Sequence, residues 1–259
     1  MYKGGAMGKI VTIFNQKGGV GKTTTNVNLS AILAEKDKKI LTVDIDPQGN
    51  STSGFGIDKE KVEYTIYDCI MNEIDLEEAI LETDKKNLDV IPANIELAGA
   101  EIELTKSKYR ENTLRKKLVT IKDNYDYIFI DCPPSLGLLS INALTAADSV
   151  IIPIQCEYYA LEGVSQLVNT VKLVKRTLNP SLEIEGIVLN MFDGRTNLSV
   201  QVVEEVKKYF KNKVYTSIIP RNVTLAEAPS YGMSVFDYDN KSKGSKAYES
   251  LAEEFLKRN

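Results

Sequence analysis

The sequence predicts an α/β fold, a single domain built on a mostly parallel central sheet with helices on both faces. Three observations predict it. Short β-branched runs alternate with longer helix-like runs along nearly all of the 259 residues. The first β-like run leads directly into a glycine-rich loop ending Gly21-Lys22-Thr23, and a helix-like run follows it. No composition break, low-complexity tract or internal repeat divides the chain.

The expected strands cover residues 9–15, 40–44, 88–92, 127–131, 150–154, 184–190 and 214–220. Each is apolar and rich in Ile and Val, as strands buried on both faces require. Helix-like periodicity covers 23–35, 94–119, 138–147, 161–178, 199–210 and 245–257. In the first of these, Val27, Leu29, Ile32 and Leu33 form the expected packed side; in 199–210, Val202, Val203, Val206, Tyr209 and Phe210 share one face. Residues 1–8 read as an N-terminal extension ahead of a domain spanning 9–259, with a second methionine, Met7, just before the first strand.

Composition excludes several kinds of chemistry. The chain has no histidine, so Ser–His and Cys–His devices and imidazole metal ligands are ruled out. Its three cysteines are odd in number and widely spaced, which points to a reducing cytoplasm rather than a disulfide framework. No apolar run approaches the ~20 residues of a membrane span, and nothing at the start reads as a signal peptide. The net charge of −4 speaks against a wholly basic nucleic-acid binder, though not against a local patch.

The loop Lys17-Gly18-Gly19-Val20-Gly21-Lys22-Thr23-Thr24 carries the strongest chemical signal. Glycines let backbone N–H groups converge on phosphate oxygens without a Cβ in the way. Lys22 is expected on the β- and γ-phosphates and the Thr23 hydroxyl on Mg²⁺. With the strand before it and the helix after it, this makes the domain a P-loop NTPase fold. A second lysine, Lys17, opens the loop; an ordinary P-loop has no need of it. Two further strand ends carry carboxylates. Asp44 and Asp46, two apart, are expected on one side of the second strand, positioning metal-bound or attacking water. Asp131 ends the apolar run Tyr127–Asp131 in the manner of a Walker B aspartate, with Cys132 beside it as a small packed residue. The Pro133-Pro134 pair then starts a loop suited to sensing the γ-phosphate.

With these segments assembled, the chain resembles the ParA/Soj group of chromosome- and plasmid-partitioning ATPases from Lys9 nearly to its end. The shared segments are residues 16–25, 44–54, 98–104, 126–144, 155–163 and 219–232. Lys17 stands where that family's deviant Walker A motif has its signature lysine. The resemblance implies an ATP-bound sandwich dimer in which this lysine reaches the opposite subunit's phosphates, a lysine counterpart of an arginine finger. It implies ATP and Mg²⁺ as cofactors, with Asp46 positioning the attacking water and Asp44 and Asp131 near the metal. It places Asn190, Pro220, Arg221 and Asn222 around the adenine. It further implies slow ATP hydrolysis stimulated by a ParB-type partner, sequence-independent DNA binding by the ATP dimer, and a cytoplasmic, nucleoid-associated protein with no membrane attachment. Arg195 matches a basic position of the DNA surface. Thr224 departs from the pattern, since many relatives have arginine there; Lys241, Lys243 and Lys246 are read either as compensating charge or as a surface turn.

Two rival readings belong to neighbouring classes. A MinD-type membrane ATPase would use a C-terminal amphipathic helix, but here Glu249, Glu253 and Glu254 share the tail with Leu251, Phe255 and Leu256, which favours core packing. A metabolic ATP-dependent ligase would need an acceptor pocket that no motif marks.

Overall fold

The computed structural model describes residues 8–259 except 73, 158 and 159, and the backbone alone at 160–162. Eight strands make one sheet among the described residues: β1 (Lys9–Ile13), β2 (Ile40–Asp44), β3 (Leu81–Glu82), β4 (Leu88–Ile91), β5 (Tyr127–Asp131), β6 (Ser149–Gln155), β7 (Glu183–Phe192) and β8 (Val214–Pro220). Their spatial order is β3-β4-β2-β5-β1-β6-β7-β8. All neighbours are parallel except the short edge strand β3, which runs antiparallel to β4.

Eleven α-helices connect and cover these strands among the described residues: α1 (Lys22–Glu35), α2 (Asn50–Gly54), α3 (Ile66–Met71), α4 (Leu97–Glu103), α5 (Thr113–Ile121), α6 (Leu138–Ala146), α7 (Ala160–Thr177), α8 (Asn197–Phe210), α9 (Thr224–Glu227), α10 (Val235–Tyr238) and α11 (Lys243–Arg258). Side chains alternate across the sheet. Ile10, Ile128, Ile130 and Ile152 pack with Leu97, Leu118, Leu139, Leu167 and Val206 of α4 to α8. Their neighbours Val11, Ile13, Phe129 and Ile151 pack on the other side with α1 and α11. The two-sided sheet read from the sequence is therefore present.

Helix α1 is buried all round, not only on its apolar stripe. Most of its buried polar groups are matched, although Asn26 Oδ1 has no partner. Asn26 Nδ2 donates to Ser51 Oγ at 2.9 Å, Asn28 Oδ1 accepts from the Val235 N–H at 2.7 Å, and Ser30 Oγ accepts from Thr42 Oγ1 at 3.2 Å. The tail helix α11 lies across it, with Tyr248, Leu251, Ala252 and Phe255 buried. The Phe255 ring sits 5.0 Å from Tyr127 and 5.7 Å from Phe129, centroid to centroid. Glu254 of α11 accepts from the backbone N–H groups of Thr216 and Ser217 at 2.9 and 3.1 Å. That closes donors which edge strand β8 would otherwise leave open.

The structure corrects the expected long helix over 94–119. It is two helices, α4 and α5, separated by a 3-10 turn at Leu104–Lys106 and an extended Ser107. No residue from 105 to 113 is buried, so a continuous helix there would have no face to bury. Several short elements, α2, α3, α9, α10 and β3, were not anticipated. Only α3 left a clear sequence mark: Thr65 and Asp68 form a reciprocal capping box at its start. Of the expected extension, residues 1–7 lie outside the described residues, whereas Gly8 is buried against the Lys122 and Tyr125 carbonyls.

Docking of α11 through Phe255 makes a stability prediction. Phe255 is fully buried, so Phe255→Ala is expected to cost about 3–5 kcal/mol. The midpoint of urea unfolding measures it. A cost near zero would mean that α11 is not part of the core.

Candidate nucleotide site

Parallel register brings the ends of β1, β2 and β5 to one height. Asp131 pairs with Ile13 on one side and with Asp44 on the other. The loop that leaves β1 is pinned at its front, where Asn15 Nδ2 donates to Pro153 O at 2.8 Å and Asn15 Oδ1 accepts from the Lys17 N–H at 3.0 Å. It closes on Gly21, whose φ of 89° is left-handed. A Cβ at Gly21 would also lie 2.6 Å from Asn190 Nδ2. Gly21 is the N-cap of α1 and offers no side chain to the first turn. The leading N–H groups of a fourteen-residue helix therefore face the loop uncapped, the standard seat for a phosphate.

Lys22 is buried, and its ammonium rests on the Lys17 carbonyl at 3.3 Å. Burial lowers its pKa, opposed chiefly by the negative charge of Asp131. Lys17, five residues earlier, is exposed, and among the described residues its ammonium has no acidic partner. The two lysines of the loop thus occupy opposite environments.

Behind the loop lies a carboxylate pair. Asp131 Oδ2 accepts from Thr23 Oγ1 at 2.8 Å and from Ser51 Oγ at 2.7 Å, while Oδ1 is buried with no partner. Asp44 Oδ2 accepts from the Thr52 N–H and Oγ1, both at 2.8 Å, and Oδ1 from the Asp46 N–H at 3.1 Å. Burial, then the charge of Asp131, pushes the Asp44 carboxyl up to about 7. Burial pushes Asp131 up to about 6. The strand ends at Asp44, so the expected same-side pairing of Asp44 and Asp46 does not follow from strand period. Asp46 instead sits on the turn after β2 and lines the phosphate cavity. Among the described residues no three acidic or thiol side chains converge as a ready-made metal cage. A divalent cation beside Thr23 and Asp131 would complete its shell from phosphate oxygens and water, as Mg²⁺ commonly does. The orphaned Asp131 Oδ1 and the uncapped helix fit such a group.

Two cavities meet at Gly21 and Thr24. One, about 270 Å³, is lined by Gly18, Gly19, Lys22, Thr23, Asp46 and Pro134. The other, about 230 Å³, is lined by Asn190, Pro220, Arg221, Asn222, Leu225 and Tyr248. All four residues expected near the adenine are therefore together. Asn190 Nδ2 donates to Val20 O at 2.9 Å, and its Oδ1 is buried without a partner. Met191 lines both cavities at φ 55°, a left-handed pose rare for its side chain. Sequence reasoning missed Met191, Ser51, Leu225 and Tyr248. Of these, Ser51, inside the 44–54 segment, and Leu225, inside 219–232, stood in marked motifs. A larger concavity, about 570 Å³, lies at the far end of α1. There Lys85 is already paired with Glu35 and Asp237, so chemistry rather than size selects the site. Cys132 is packed as expected, its thiol pushed up to about 12 by burial.

The expected DNA residues do not gather at this site. Arg195 is exposed but bound in bidentate fashion to Asp193, Nη2 to Oδ2 at 2.7 Å and Nε to Oδ1 at 2.9 Å. Lys246 pairs with Glu249 at 2.8 Å. Lys241 and Lys243 are exposed and, among the described residues, have no acidic partner. Thr224 begins α9, its hydroxyl donating to Asn222 Oδ1. Residues 158 and 159 of the 155–163 segment lie outside the described residues.

A family model described as an AAA domain matches residues 8–184. The chain is 62% identical over 248 residues to the sporulation initiation inhibitor protein Soj of Bacillus subtilis, covering 96% of this chain and 98% of the relative. It is 54% identical over 252 residues to the chromosome partitioning protein ParA of Myxococcus xanthus, covering 97% and 89%. The chain belongs to the ParA/Soj family of partitioning ATPases. Among solved structures, the family fold is shared by one described as cobyrinic acid a,c-diamide synthase from Mycobacterium smegmatis with bound ADP and magnesium. That protein is 36% identical, with a TM-score of 0.85 and coverage of 97% of this chain and 95% of the other. The mostly parallel sheet expected from the sequence is thus shared with that structure.

The carboxylate pair predicts a pH dependence for the nucleotide-free ATPase. A buried carboxyl with a raised pKa keeps a proton that the unfolded chain has already released. Its contribution to stability is full below about pH 4 and is lost as pH rises through about 6 to 7. Asp131→Asn removes one charge while leaving an acceptor for Thr23 and Ser51. Its melting temperature is expected to fall less between pH 4 and 8 than that of the unsubstituted protein. Parallel curves for the two proteins would contradict this.

Proposed function

We propose that this ATPase is the nucleotide switch of a DNA-segregation system. ATP and Mg²⁺ bind at the α1 N-terminus, two ATP-loaded copies pair face to face, and the pair holds DNA of any sequence on the nucleoid. A ParB-type centromere-binding partner stimulates slow hydrolysis, which separates the pair and releases the DNA. The observation that carries this reading is the contrast within one loop. Lys22 is buried over the phosphate seat, whereas Lys17 is exposed at its rim with only its backbone tied down. A cation held out of its own site is suited to the site of a second copy.

Each residue has a defined task in this reading. The N–H groups from Gly18 to Thr24 cradle the phosphates, and Lys22 balances charge on the β- and γ-phosphates. Thr23 and Asp131 hold Mg²⁺, with Asp44 fixing the turn that carries Asp46. The metal neutralises phosphate charge when bound. Asp46 orients the attacking water and Lys17 reaches the partner's phosphates. Asn190 offers its free Oδ1 to the base, between Pro220, Arg221 and Asn222. Burial of the α11 apolar face supports DNA rather than membrane as the surface engaged, and among the described residues no helix is long and apolar enough to cross a membrane. The 62% identity to Soj, against 36% to the synthase structure, supports partitioning over a ligase activity.

Three variants test the proposal together. Lys22→Ala is expected to weaken ATP binding and lower turnover by about 10²-fold or more. Asp46→Ala should bind Mg²⁺-ATP and accumulate as a dimer on size-exclusion chromatography. Lys17→Ala should bind ATP but stay monomeric and unstimulated. A Lys17→Ala protein that dimerises and turns over normally would remove the trans role; an Asp46→Ala protein that binds ATP yet remains monomeric would remove the sandwich dimer.

A further inference from the structure

Glycine is expected where backbone conformation requires it, and Gly137 is not such a place. Its φ of −92° and ψ of −174° are open to any residue, and it is the N-cap of the nine-residue helix α6. Ser, Thr, Asp or Asn would normally stabilise that position. The space a side chain would take is filled from another helix. A Cβ on Gly137 would lie 2.0 Å from Glu101 Oε1 and 2.5 Å from Glu101 Oε2. Glu101 belongs to α4, in the 98–104 segment that the nucleotide chemistry leaves unexplained. Its Oε1 is buried and makes no hydrogen bond. A buried carboxylate oxygen without a donor is costly, and the positive end of α6 is what offsets it here.

The residues preceding Gly137 lead into the phosphate cavity. Pro134 lines it, and a Cβ on Gly18 of the phosphate loop would be 3.7 Å from Pro134 Cβ. The Ser135 carbonyl accepts from Ser140 Oγ of α6 at 2.6 Å, which ties the 134–137 loop to the start of that helix. Ile102 of α4 and Leu136 of the loop, next in sequence to Glu101 and Gly137, are exposed at 71% and 48%.

From this geometry we infer that Glu101 is a positioning residue for ATP hydrolysis: its carboxylate, seated in the space left by Gly137, sets the 134–137 loop against the phosphate cavity. Glu101 does not line the phosphate cavity. It fixes where Pro134 stands, and it ties that position to α4. The inference rests on the ATPase reading of the site.

The chain contains no tryptophan, so Leu136→Trp provides a loop reporter that does not depend on turnover. In that background, Glu101→Ala and Gly137→Ala are each expected to shift the indole emission of nucleotide-free protein. Gly137→Ala should lower turnover about tenfold, within the range by which touching residues couple, and change ATP affinity little. In a Glu101→Ala background, Gly137→Ala should cause no further loss, because the clashing carboxylate is gone. Losses that multiply in the double variant would overturn the inference, as would unchanged emission and turnover in Gly137→Ala. If Gly137→Ala does not fold, the double variant must; failure of both would equally overturn it. A parent protein that binds ATP but never hydrolyses it would retire the ATPase reading, while the emission comparison would still decide the contact.

Discussion

The ammonium of Lys22, buried at the N-terminus of α1 between the phosphate loop and Asp131, is the interaction that the rest of the structure accommodates. An unpaired buried charge is expensive. Here a cation, a carboxylate pair and an uncapped helix end are held within one loop of each other. Parallel register of β1, β2 and β5 fixes their heights. The all-round burial of α1, with Asn26 and Asn28 hydrogen-bonded to neighbouring elements, holds the helix end in place. The two raised carboxyl pKa values express the same constraint from the negative side. A magnesium–nucleotide complex would bring both signs of charge to this point.

Much of this was legible in the residues. Gly21-Lys22-Thr23 and the apolar run ending at Asp131 encode local geometry, so a strand, a turn and a helix could be read at once. The residues expected near the adenine are separated by about thirty positions, yet they line one cavity. What was not legible depends on packing between distant segments. Met191 takes its left-handed φ near the end of β7, next to Asn190, whose Nδ2 donates to Val20 O of the phosphate loop. Ser51 reaches Asp131 through α2, a helix of Asn, Ser, Thr and Gly that propensity does not favour. The false long helix over 94–119 failed for the opposite reason: propensity was adequate, but nothing lay opposite residues 105–113 to pack against.

Electrostatics outside the seat bear on the proposed DNA cycle. The chain carries a net charge of −4, Arg195 is engaged by Asp193, and Lys246 is engaged by Glu249. Of the four residues expected on DNA, only Lys241 and Lys243 have no acidic partner among the described residues. A phosphate must also compete with Asp193 for the Arg195 fork. Two copies joined through nucleotide would present these groups twice on one surface, and avidity would raise affinity without new contacts. In the proposed cycle, weak binding by one copy would let nucleotide state control the outcome.

The most direct measurement is retention of unrelated DNA fragments by the full chain at several salt concentrations, with ATP, with ADP and without nucleotide. The account predicts retention with Mg²⁺-ATP alone, equal across sequences and falling steeply with salt as counterions are displaced. Equal retention in all three nucleotide states, or none in any of them, would contradict it.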